Sequence, residues 1–324
     1  MTDFRVIIGD CIEGMRTLPD QSVHTCVTSP PYFGLRDYGM AGQIGLEDTP
    51  DAFVARLVDV FREVRRVLRD DGTLWLNLGD SYGSFGGNTY SGFNERYSGT
   101  GGEGSKQDAT LQGVTDRKAD TGLRPKNLLG IPWRVAFALQ ADGWYLRQDI
   151  IWHKPNPMPE SVTDRCTKAH EYVFLLSKSA RYFFDADAIK EASAESSAAR
   201  LAQNVEAQAG STRVPGKTNG TMKAVGGDMR NRRSVWTVTT KPFKGAHFAT
   251  FPPDLIEPCI LAGSPVGGTV LDPFGGSGTT AGVAMRNGRN AVLCELNPEY
   301  AALMPARIAD LGGNQGDLFQ RAAE

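Results

Sequence analysis

A glycine-rich loop near the C-terminal end of the chain is the feature that most constrains the fold. This glycine loop, Asp272-Pro273-Phe274-Gly275-Gly276-Ser277-Gly278-Thr279-Thr280, follows the apolar run Thr269–Leu271. A helix is predicted over Thr279–Arg286 and a strand over Asn290–Cys294. Strand, loop, helix and strand in this order make half of an open parallel α/β sheet that binds a nucleotide. Only about 44 residues follow the loop, so strands from the N-terminal part of the chain must complete the sheet.

The residues in and after the glycine loop indicate the kind of ligand. Glycines allow the backbone to approach a ligand closely, and Glu295 ends the next strand, where its carboxylate can accept both hydroxyls of a ribose. The segment Gly276–Ala281 matches the dinucleotide fingerprint G-x-G-x-x-A, which by itself favours a nicotinamide-dependent oxidoreductase. Asp272 instead places a carboxylate at the loop entrance. That position suits the amino group of an amino-acid-bearing nucleoside such as S-adenosylmethionine.

A second motif, Thr28-Ser29-Pro30-Pro31-Tyr32, lies directly after a predicted strand; we call it the amine clamp. The Ser29 hydroxyl and the Pro30 carbonyl, which Pro31 holds stiffly, can accept the two N–H groups of an exocyclic amine. Tyr32 offers an aromatic face on which an extruded base can stack. Acceptors on the amine localise its lone pair, and positioning then supplies most of the catalysis. The two motifs together predict methyl transfer to the amino group of a nucleobase.

A covalent thiol mechanism is not expected. Methylation of a pyrimidine ring carbon needs a thiolate nucleophile, typically one that follows a proline. Pro258-Cys259 is the one Pro-Cys pair of the sequence, and it lies within a predicted helix, Pro253–Leu261. We therefore interpret Cys259 as a core residue.

Composition and charge exclude several other classes of protein. With 40% apolar residues the chain can bury a substantial core, and a net charge of −2 argues against a wholly basic nucleic-acid binder. The five cysteines form no Cys-x-x-Cys pair, so neither a disulfide framework nor a metal site is expected. The N-terminal residues lack the pattern of a signal peptide, and no apolar run approaches the roughly 20 residues of a membrane span. We expect a cytoplasmic protein with no membrane partner.

The remaining apolar patterns predict alternating strands and helices. A turn at Asp71-Gly72 is predicted to lead into the third strand. The helix after Asn297 should begin with this residue as its N-cap and Pro298 at its first position. The predicted strands are Phe4–Ile8, Val23–Val27, Thr73–Leu78, Trp144–Trp152 and Glu171–Leu176, and the predicted helices are Cys11–Leu18, Ala52–Leu68, Ile131–Gln140, Pro253–Leu261 and Pro298 to about Asp310.

Two segments depart from this α/β pattern. Gly83–Thr121 is rich in Gly, Ser and Asn and reads as a mobile insertion, because it cannot bury enough apolar surface to fold alone. The segment from Lys178 to Lys244 carries twelve Lys and Arg against six Asp and Glu, on an otherwise acidic protein. Its densest basic cluster is Arg230, Arg232 and Arg233.

With both motifs in view, the chain resembles the amino-group DNA methyltransferases of the circularly permuted β-type, in which the catalytic motif precedes the cofactor loop. The resemblance implies an α/β, Rossmann-like S-adenosylmethionine-dependent methyltransferase fold. It is a mixed, mostly parallel sheet with helices on both faces, circularly permuted, with a small target-recognition insertion. Besides the two motifs, the matching segments are Gly9–Cys11, Val64–Leu78, Asp149–Asn156, His170-Glu171, Lys178–Asp185, His247–Pro252 and Glu295.

The resemblance also implies roles for particular residues. Ser29, Pro30, Pro31 and Tyr32 would hold the target base. Asp10 would contact the cofactor adenine and Glu295 its ribose. The full cofactor pocket that it implies is Asp10, Cys11, Thr28, His247, Phe248, Ala249, Thr250, Phe251, Pro252, Asp272, Pro273, Phe274, Gly275, Gly276, Ser277, Gly278, Thr279, Thr280, Glu295 and Leu296.

The same resemblance divides the chain into three parts. Residues 1–185, with the insertion 83–121, would form the catalytic half; 186–244 a target-recognition and DNA-binding segment; and 245–324 the cofactor-binding half. The substrate would be double-stranded DNA, with Arg230, Arg232 and Arg233 contacting phosphates and giving a salt-dependent affinity. Whether the protein forms a homodimer, and whether it has a cognate restriction endonuclease, the sequence leaves open.

The identity of the target base rests on Ser29. In the family that the chain resembles, serine at this position is commoner among cytosine-N4 enzymes, whereas adenine-N6 enzymes usually carry Asp or Asn. We therefore predict cytosine N4, with adenine N6 as the alternative. Two further readings stay open at this point: the nicotinamide-dependent oxidoreductase, and a DNA-binding protein that has kept the fold without catalysis.

Overall fold

A computed structural model describes residues 2–83, 124–193, 229–240 and 251–312 of the 324-residue chain. The predicted insertion Gly83–Thr121, apart from Gly83 itself, lies outside the described residues. The predicted cofactor residues His247, Phe248, Ala249 and Thr250 lie outside them as well.

The described chain alternates strands and helices, as the sequence predicts. The strands are β1 (Phe4–Ile8), β2 (Val23–Thr28), β3 (Leu68–Leu78), β4 (Tyr145–His153), β5 (His170–Ser177), β6 (Glu191–Ala192), β7 (Met229–Arg230), β8 (Val235–Thr237), β9 (Thr269–Asp272) and β10 (Asn290–Glu295). The helices are α1 (Cys11–Arg16), α2 (Pro50–Val67), α3 (Ile131–Ala141), α4 (Pro253–Gly263), α5 (Thr279–Arg286) and α6 (Pro298–Asp310).

One mixed sheet of eight strands organises the molecule, in the order β1-β10-β9-β2-β3-β5-β4-β8. All neighbouring pairs are parallel except those that β5 makes with β3 and β4, so β5 alone runs against the others. The late strands β9 and β10 lie between β1 and β2. The expectation that N-terminal strands complete a sheet begun at the glycine loop is therefore confirmed.

Helices cover both faces of this sheet. Leu74, Leu76 and Leu78 of β3 belong to a buried apolar cluster that includes residues of α1, α2 and α3. Side chains alternate between the two faces of a strand, and on the other face Thr73 and Trp75 closely approach α4 at Gly263. The predicted architecture, a mixed and mostly parallel α/β sheet with helices on both faces, is confirmed.

Local sequence signals explain where the helices begin. Thr49 caps α2 by accepting the N–H of Ala52 at 3.1 Å, and Pro50 occupies the first helical position. Asn297 caps α6 in the same way, accepting the N–H of Glu299 at 2.9 Å. The predicted start of α6 is thus confirmed to the residue.

The prediction of a turn at Asp71-Gly72 is wrong. Strand β3 already begins at Leu68, directly after α2, and Leu68 pairs with Val23. The next partners are Thr25 and Thr73, so the pairing shifts register between them. The residues from Arg69 to Gly72 form an irregularity inside the strand, because the partner strand offers fewer residues over the same stretch. A local turn signal cannot distinguish such a bulge from a chain reversal.

The chain divides into two compact units: residues 1–184 with 234–324, and residues 185–233. In the described part of the second unit, β6 and β7 form a small antiparallel pair in which Glu191 is opposite Arg230. The sequence places the end of the inserted segment at 244, whereas β8 pairs with β4 in the main sheet and the second unit ends at Arg233. Strand β8 has three residues, Val235–Thr237, which are too few for the alternation of a strand to be recognised in the sequence.

The cysteines bear out the interpretation of Cys259. It is 1% exposed within α4, and its thiol donates to the carbonyl of Leu255, one turn earlier. Cys11, Cys26 and Cys294 are also buried, whereas Cys166 is exposed. Among the described residues, no helix is both long and apolar enough to span a membrane.

His24 links two strands at the amino end of the sheet. Its Nδ1 atom accepts the backbone N–H of Thr269 at 3.0 Å, which joins β2 to the start of β9. Burial lowers the pKa of His24 below its ordinary value of 6.5, and the charge of Arg69 lowers it further. The folded state therefore favours the neutral imidazole.

We predict that a His24→Gln variant loses part of the pH dependence of stability. The unfolded chain takes up a proton on His24 near pH 6.5 while the folded chain does not, so wild-type stability should fall as the pH decreases through that value. Calorimetry at about pH 7.5 and about pH 5.5 should show a larger drop in Tm for wild type than for H24Q. Gln148→Asn, an exposed and non-titrating position on β4, is the control and should keep the wild-type drop. Equal drops in wild type and H24Q would contradict the assignment.

Candidate active site

The ends of the parallel strands bring the two sequence motifs to one edge of the sheet. Strand β2 ends at Thr28, immediately before Ser29, and β9 ends at Asp272, at the start of the glycine loop. These two strands are direct neighbours. The carboxyl edge of an open parallel sheet is where such folds bind ligands, so the amine clamp and the glycine loop lie together at the edge where a ligand is expected.

A buried carboxylate joins the two motifs. The Thr28 hydroxyl donates to Asp272 Oδ1 at 2.6 Å, and the Thr280 hydroxyl donates to Oδ2 at 2.6 Å. The backbone N–H of Phe274 also donates to Oδ1, at 3.0 Å. Each of the three side chains is 1% exposed. Burial raises the pKa of Asp272, and these donors oppose that rise.

The role expected of Asp272 changes accordingly. A carboxylate with both oxygens engaged and 1% of its residue exposed is not a free acceptor for a ligand amino group. It fixes the first turn of the glycine loop, the start of α5 and the end of β2 relative to one another. The sequence shows that a carboxylate precedes the glycines, but not which donors surround it.

Two backbone N–H groups of the glycine loop donate hydrogen bonds to β10. The N–H of Gly275 donates to the carbonyl of Cys294 at 2.8 Å, and the N–H of Gly276 donates to Glu295 Oε2 at 2.8 Å. Gly278 precedes α5 with φ +83°, a left-handed conformation that residues with a side chain rarely adopt. The glycine at this position is therefore required by the backbone.

Glu295 lies where a ribose-binding carboxylate is expected. Its Oε1 accepts the N–H of Asn297 at 2.9 Å, and each oxygen keeps a further lone pair for a hydroxyl donor. Burial raises the pKa of Glu295, while these backbone N–H donors oppose the rise. Tyr38 and Tyr300 lie close enough for the Glu295 charge to contribute to raising their pKa values, burial being the larger cause. Sequence analysis missed both tyrosines, which follow no motif.

Asp10 follows β1 at the same edge and caps α1. Its Oδ1 accepts the N–H groups of Ile12 and Glu13 at 2.8 and 3.1 Å, and its Oδ2 pairs with Arg56 at 3.1 Å. The neighbouring Cys11 points into the core, and burial raises the pKa of its thiol to about 12. A cofactor contact by Cys11, which the resemblance implies, would therefore involve its backbone and not its thiol.

The other predicted cofactor residues separate into two groups by burial. The half-buried group can present side chains or backbone to a ligand, whereas the buried group can act through backbone or by shaping the loop. Half-buried are Phe251, Phe274, Gly276 and Leu296, and buried are Pro252, Pro273, Gly275, Ser277, Gly278, Thr279 and Thr280.

The amine clamp leaves β2 as the sequence predicts. Ser29 and Pro31 are half-buried and Pro30 is buried. The ring of Tyr32 packs against the backbone of Gly79, just beyond the end of β3: a Cβ at that position would lie 2.6 Å from Tyr32 Cε2. The Tyr32 hydroxyl donates to Glu171 Oε2 at 2.8 Å and makes a longer contact of 3.4 Å with Asn77 Oδ1.

Glu171 gathers further donors at this edge. Asn77 Nδ2 donates to Glu171 Oε2 at 3.2 Å, and Lys154 Nζ pairs closely with Glu171 Oε1. The Lys154 ammonium also lies 4.2 Å from the ring centre of Trp152. These residues come from β3, β5 and the end of β4, with Lys154 directly after it, and sequence analysis assigned no role to Glu171 or Asn77. Among the described residues, no group of three His, Cys, Asp or Glu could hold a metal ion.

A parallel sheet with one reversed strand, a glycine loop and an amine clamp at its carboxyl edge define an amino-group methyltransferase. The model of the N6/N4 DNA methylase family matches residues 23–305, and the chain belongs to this family. The enzyme therefore transfers a methyl group from S-adenosylmethionine to the amino group of a base in DNA. The oxidoreductase reading of the glycine fingerprint is set aside.

Curated relatives extend over nearly the whole chain. The type II methyltransferase M.XycI of Xanthomonas campestris pv. cyanopsidis is 48% identical over 308 residues, covering 94% of this chain and 88% of that protein. The type II methyltransferase M.SmaI of Serratia marcescens is 46% identical over 306 residues, covering 94% and 90%.

Solved structures agree on the fold. The putative DNA modification methylase TTHA0409 of Thermus thermophilus, solved as a complex with S-adenosylmethionine, is 25% identical with a TM-score of 0.56, covering 95% of both chains. The PvuII DNA methyltransferase, a cytosine-N4-specific enzyme, aligns with a TM-score of 0.60 at 19% identity, covering 97% of this chain and 94% of that chain. The second likeness supports the fold alone.

We predict that Thr28→Val weakens both stability and catalysis. The variant removes one donor from buried Asp272 and should lower the free energy of unfolding by about 1–3 kcal/mol. Because it loosens the link between clamp and glycine loop, the single-turnover methylation rate should fall about tenfold or more.

The matched control for Thr28→Val is Thr25→Val. Thr25 lies in the same strand, and its hydroxyl is buried against Thr73 Oγ1 at 2.9 Å. T25V should lose similar stability in urea denaturation but keep its methylation rate. A T28V enzyme with a wild-type rate would argue against the link.

We also predict that Gly79→Ala displaces the Tyr32 ring. The added methyl group would lie 2.6 Å from Tyr32 Cε2, so the ring must move. The methylation rate should fall at least about tenfold, while calorimetric binding of S-adenosylmethionine should stay within about twofold of wild type. Gly143→Ala, at φ +101° with open space around it, is the control: strain should lower its stability without slowing methylation. An active G79A enzyme would exclude a tightly seated Tyr32.

Proposed function

We propose that this enzyme methylates the N4 amino group of cytosine in double-stranded DNA. The observation that carries the proposal is Ser29, an uncharged acceptor at the first position of the amine clamp, directly after the strand that Asp272 joins to the glycine loop. Serine at this position is typical of the cytosine-N4 enzymes that the chain resembles. Adenine N6 is the competing assignment, because both bases present an aromatic amine.

The amine clamp would activate the target amine without a covalent intermediate. The Ser29 hydroxyl and Pro30 carbonyl would accept its two N–H groups, which draws the nitrogen out of conjugation and directs its lone pair. Pro31 restricts Pro30 to an extended conformation and so fixes the direction of the carbonyl. Tyr32 would support the extruded base through stacking. S-Adenosylmethionine, when bound, supplies an electrophilic methyl group on its sulfonium sulfur.

We assign the cofactor pocket to the glycine loop and its neighbours. Glu295 would accept the ribose hydroxyls, since it is half-buried, ends β10 and keeps free lone pairs. Phe274 and the Gly276 backbone would line the same side, and Asp10 would face the adenine. Asp272 would act by positioning these groups. The chemistry of this set, a carboxylate beside a glycine turn at a strand end, suits a nucleoside with an amino-acid tail.

The arginines of the second unit would contact DNA phosphates. Arg230 and Arg233 both donate to Glu191 Oε1, at 2.9 and 2.7 Å, so part of their charge is already neutralised. Three arginines within four residues, Arg230, Arg232 and Arg233, concentrate positive charge at this position of the chain. Such contacts would strengthen binding without reading sequence.

The type II names of the relatives suggest a place in a restriction–modification system. We propose that methylation protects the enzyme's recognition sequence from a cognate endonuclease. Plasmid methylated in vitro should then resist digestion by an extract of the source organism that cuts unmethylated plasmid.

The product and its dependence on Ser29 test the proposal. DNA methylated in vitro and digested to nucleosides should give N4-methylcytosine by mass spectrometry; N6-methyladenine alone would reject cytosine as the target. Ser29→Ala should slow methylation by about 100-fold or more while S-adenosylmethionine binding is largely retained. Unchanged turnover of S29A would reject the clamp, and with it a catalytic role for this motif.

For the DNA contacts, we predict that Arg233→Gln weakens binding to DNA of any sequence. Loss of one phosphate contact should lower the slope of log affinity against log salt by about one, measured by fluorescence anisotropy. Arg286→Gln, whose partner Glu257 lies in α4, is the control and should leave the slope unchanged. An unchanged slope for R233Q would remove Arg233 from the interface.

A further inference from the structure

Glu171 at the start of β5 is a titratable side chain beside the amine clamp to which neither motif assigns a role. Its carboxylate accepts from three donors that come from three other parts of the chain: the Tyr32 hydroxyl, Asn77 Nδ2 and Lys154 Nζ. It lies 139 residues from Tyr32 in sequence. The reversed strand β5 brings it there, because its N-terminal end lies at the edge where the parallel strands end.

We propose that Glu171 is a positioning residue for methyl transfer, holding the Tyr32 hydroxyl and thereby fixing the ring on which the target base stacks. The inference rests on the proposed role of the amine clamp. It extends that clamp from a local loop to a network that spans β3, β4 and β5.

The contacts fix the Tyr32 ring from two directions. One face lies against the Gly79 backbone, where no side chain intervenes. The hydroxyl, at the far end of the ring, donates to Glu171 Oε2 at 2.8 Å. Packing alone would still allow the ring to tilt, and the hydrogen bond at its tip removes that freedom. A stacking surface of fixed orientation is what an extruded base needs for in-line transfer.

The orientation of Asn77 is itself determined by this network. Its Nδ2 donates to Glu171 Oε2 and, at 3.1 Å, to the carbonyl of Tyr172, so its Oδ1 is left to face the Tyr32 hydroxyl. Asn77 is 4% exposed. Both N–H groups of the amide therefore have an acceptor, and this fixes the orientation of the Asn77 side chain.

The charge of Glu171 argues for a role beyond stability. The Glu171 and Lys154 side chains are 14% and 19% exposed, and withdrawing an ion pair from water to this extent costs much of what the attraction returns. Apolar side chains could fill the same volume at less cost. Only a carboxylate, however, can accept from a hydroxyl, an amide and an ammonium at once.

An amide cannot replace this carboxylate. The glutamine of Glu171→Gln can adopt two orientations. If its oxygen faces Tyr32 and Asn77, its NH2 group faces the Lys154 ammonium, and two donors meet. If its NH2 group faces Asn77 Nδ2 instead, two donors meet there and the Tyr32 hydroxyl loses its acceptor. E171Q should therefore release the ring although it preserves shape.

A double-mutant cycle on single-turnover methylation of unmethylated plasmid tests the proposal. Tyr32→Phe deletes the hydroxyl and keeps the ring, so it removes the Tyr32–Glu171 hydrogen bond, together with the longer contact to Asn77 Oδ1, without touching the Lys154 pair. We expect Y32F to lower the rate about tenfold and E171Q about 10- to 100-fold. The methylation rate of the double variant should be no more than about twofold below that of the less active single variant, because both changes break the same interaction. The Kd of S-adenosylmethionine should stay within about twofold of wild type in all three.

Glu257→Gln is the matched control. Glu257 Oε1 also accepts from a cation, Arg286, and from an amide, Asn287 Nδ2, but it lies in α4 and makes no contact with Tyr32. E257Q should lose comparable thermal stability and keep the wild-type rate. If E257Q lost as much of its methylation rate as E171Q, a loss of stability alone would explain the effect of E171Q. That result would overturn the proposal.

The remaining outcomes separate this inference from the proposed function. If Ser29→Ala abolishes methylation but E171Q retains the wild-type rate, or if the losses in Y32F and E171Q multiply, Glu171 does not act through Tyr32 and the inference fails alone. If S29A itself keeps the wild-type rate, the amine clamp fails and the inference fails with it.

Discussion

The carboxylate of Asp272 is the contact on which the rest of the site depends. It receives hydroxyls from β2 and from the start of α5, and a backbone N–H from the glycine loop, in surroundings from which water is excluded. Two motifs 244 residues apart in sequence are thereby held in one arrangement. A buried carboxylate that lost one of these donors would be left unsatisfied in a low-dielectric interior, which is costly. Because Asp272 is buried, losing any one of these hydrogen bonds destabilises the fold, and this keeps the two motifs together.

The sheet topology makes this contact possible. Because β9 and β10 are inserted between β1 and β2, the first and last parts of the chain contribute adjacent strands. Their carboxyl ends present the amine clamp, the glycine loop, Asp10 and Glu295 along one edge. The reversed strand β5 adds its N-terminal end to the same edge, and with it Glu171. Permuting the order of the segments along the chain leaves this edge intact, since it depends on strand neighbours and not on chain order.

The sequence predicted the parts of the site that are local in the chain. The clamp and the glycine loop each stand directly after an apolar strand, and the cap of α6 is visible as Asn297-Pro298.

Contacts between distant segments could not be predicted in the same way. Glu171 lies in the segment His170-Glu171, which carries the family resemblance without a role for the carboxylate, and it becomes part of the site only when β5 pairs with β3. Tyr38 approaches Glu295 from a loop and Tyr300 from α6. The turn expected at Asp71-Gly72 failed for a related reason, because the register of the partner strand β2 decides between a turn and a bulge. Asp272 and Cys11 show a further limit of sequence analysis. Their places in the motifs are visible in the sequence, but the burial of their side chains is not.

The most direct test of this account is a structure of the enzyme with S-adenosylhomocysteine and a DNA duplex carrying its recognition sequence. The account predicts an extruded cytosine stacked on Tyr32, with its N4 amine hydrogen-bonded to Ser29 and the Pro30 carbonyl and directed at the cofactor sulfur. The ribose hydroxyls of the cofactor should meet Glu295 beside the glycine loop. A target base bound away from Ser29, or a cofactor bound outside the pocket formed by Phe274 and Glu295, would contradict it.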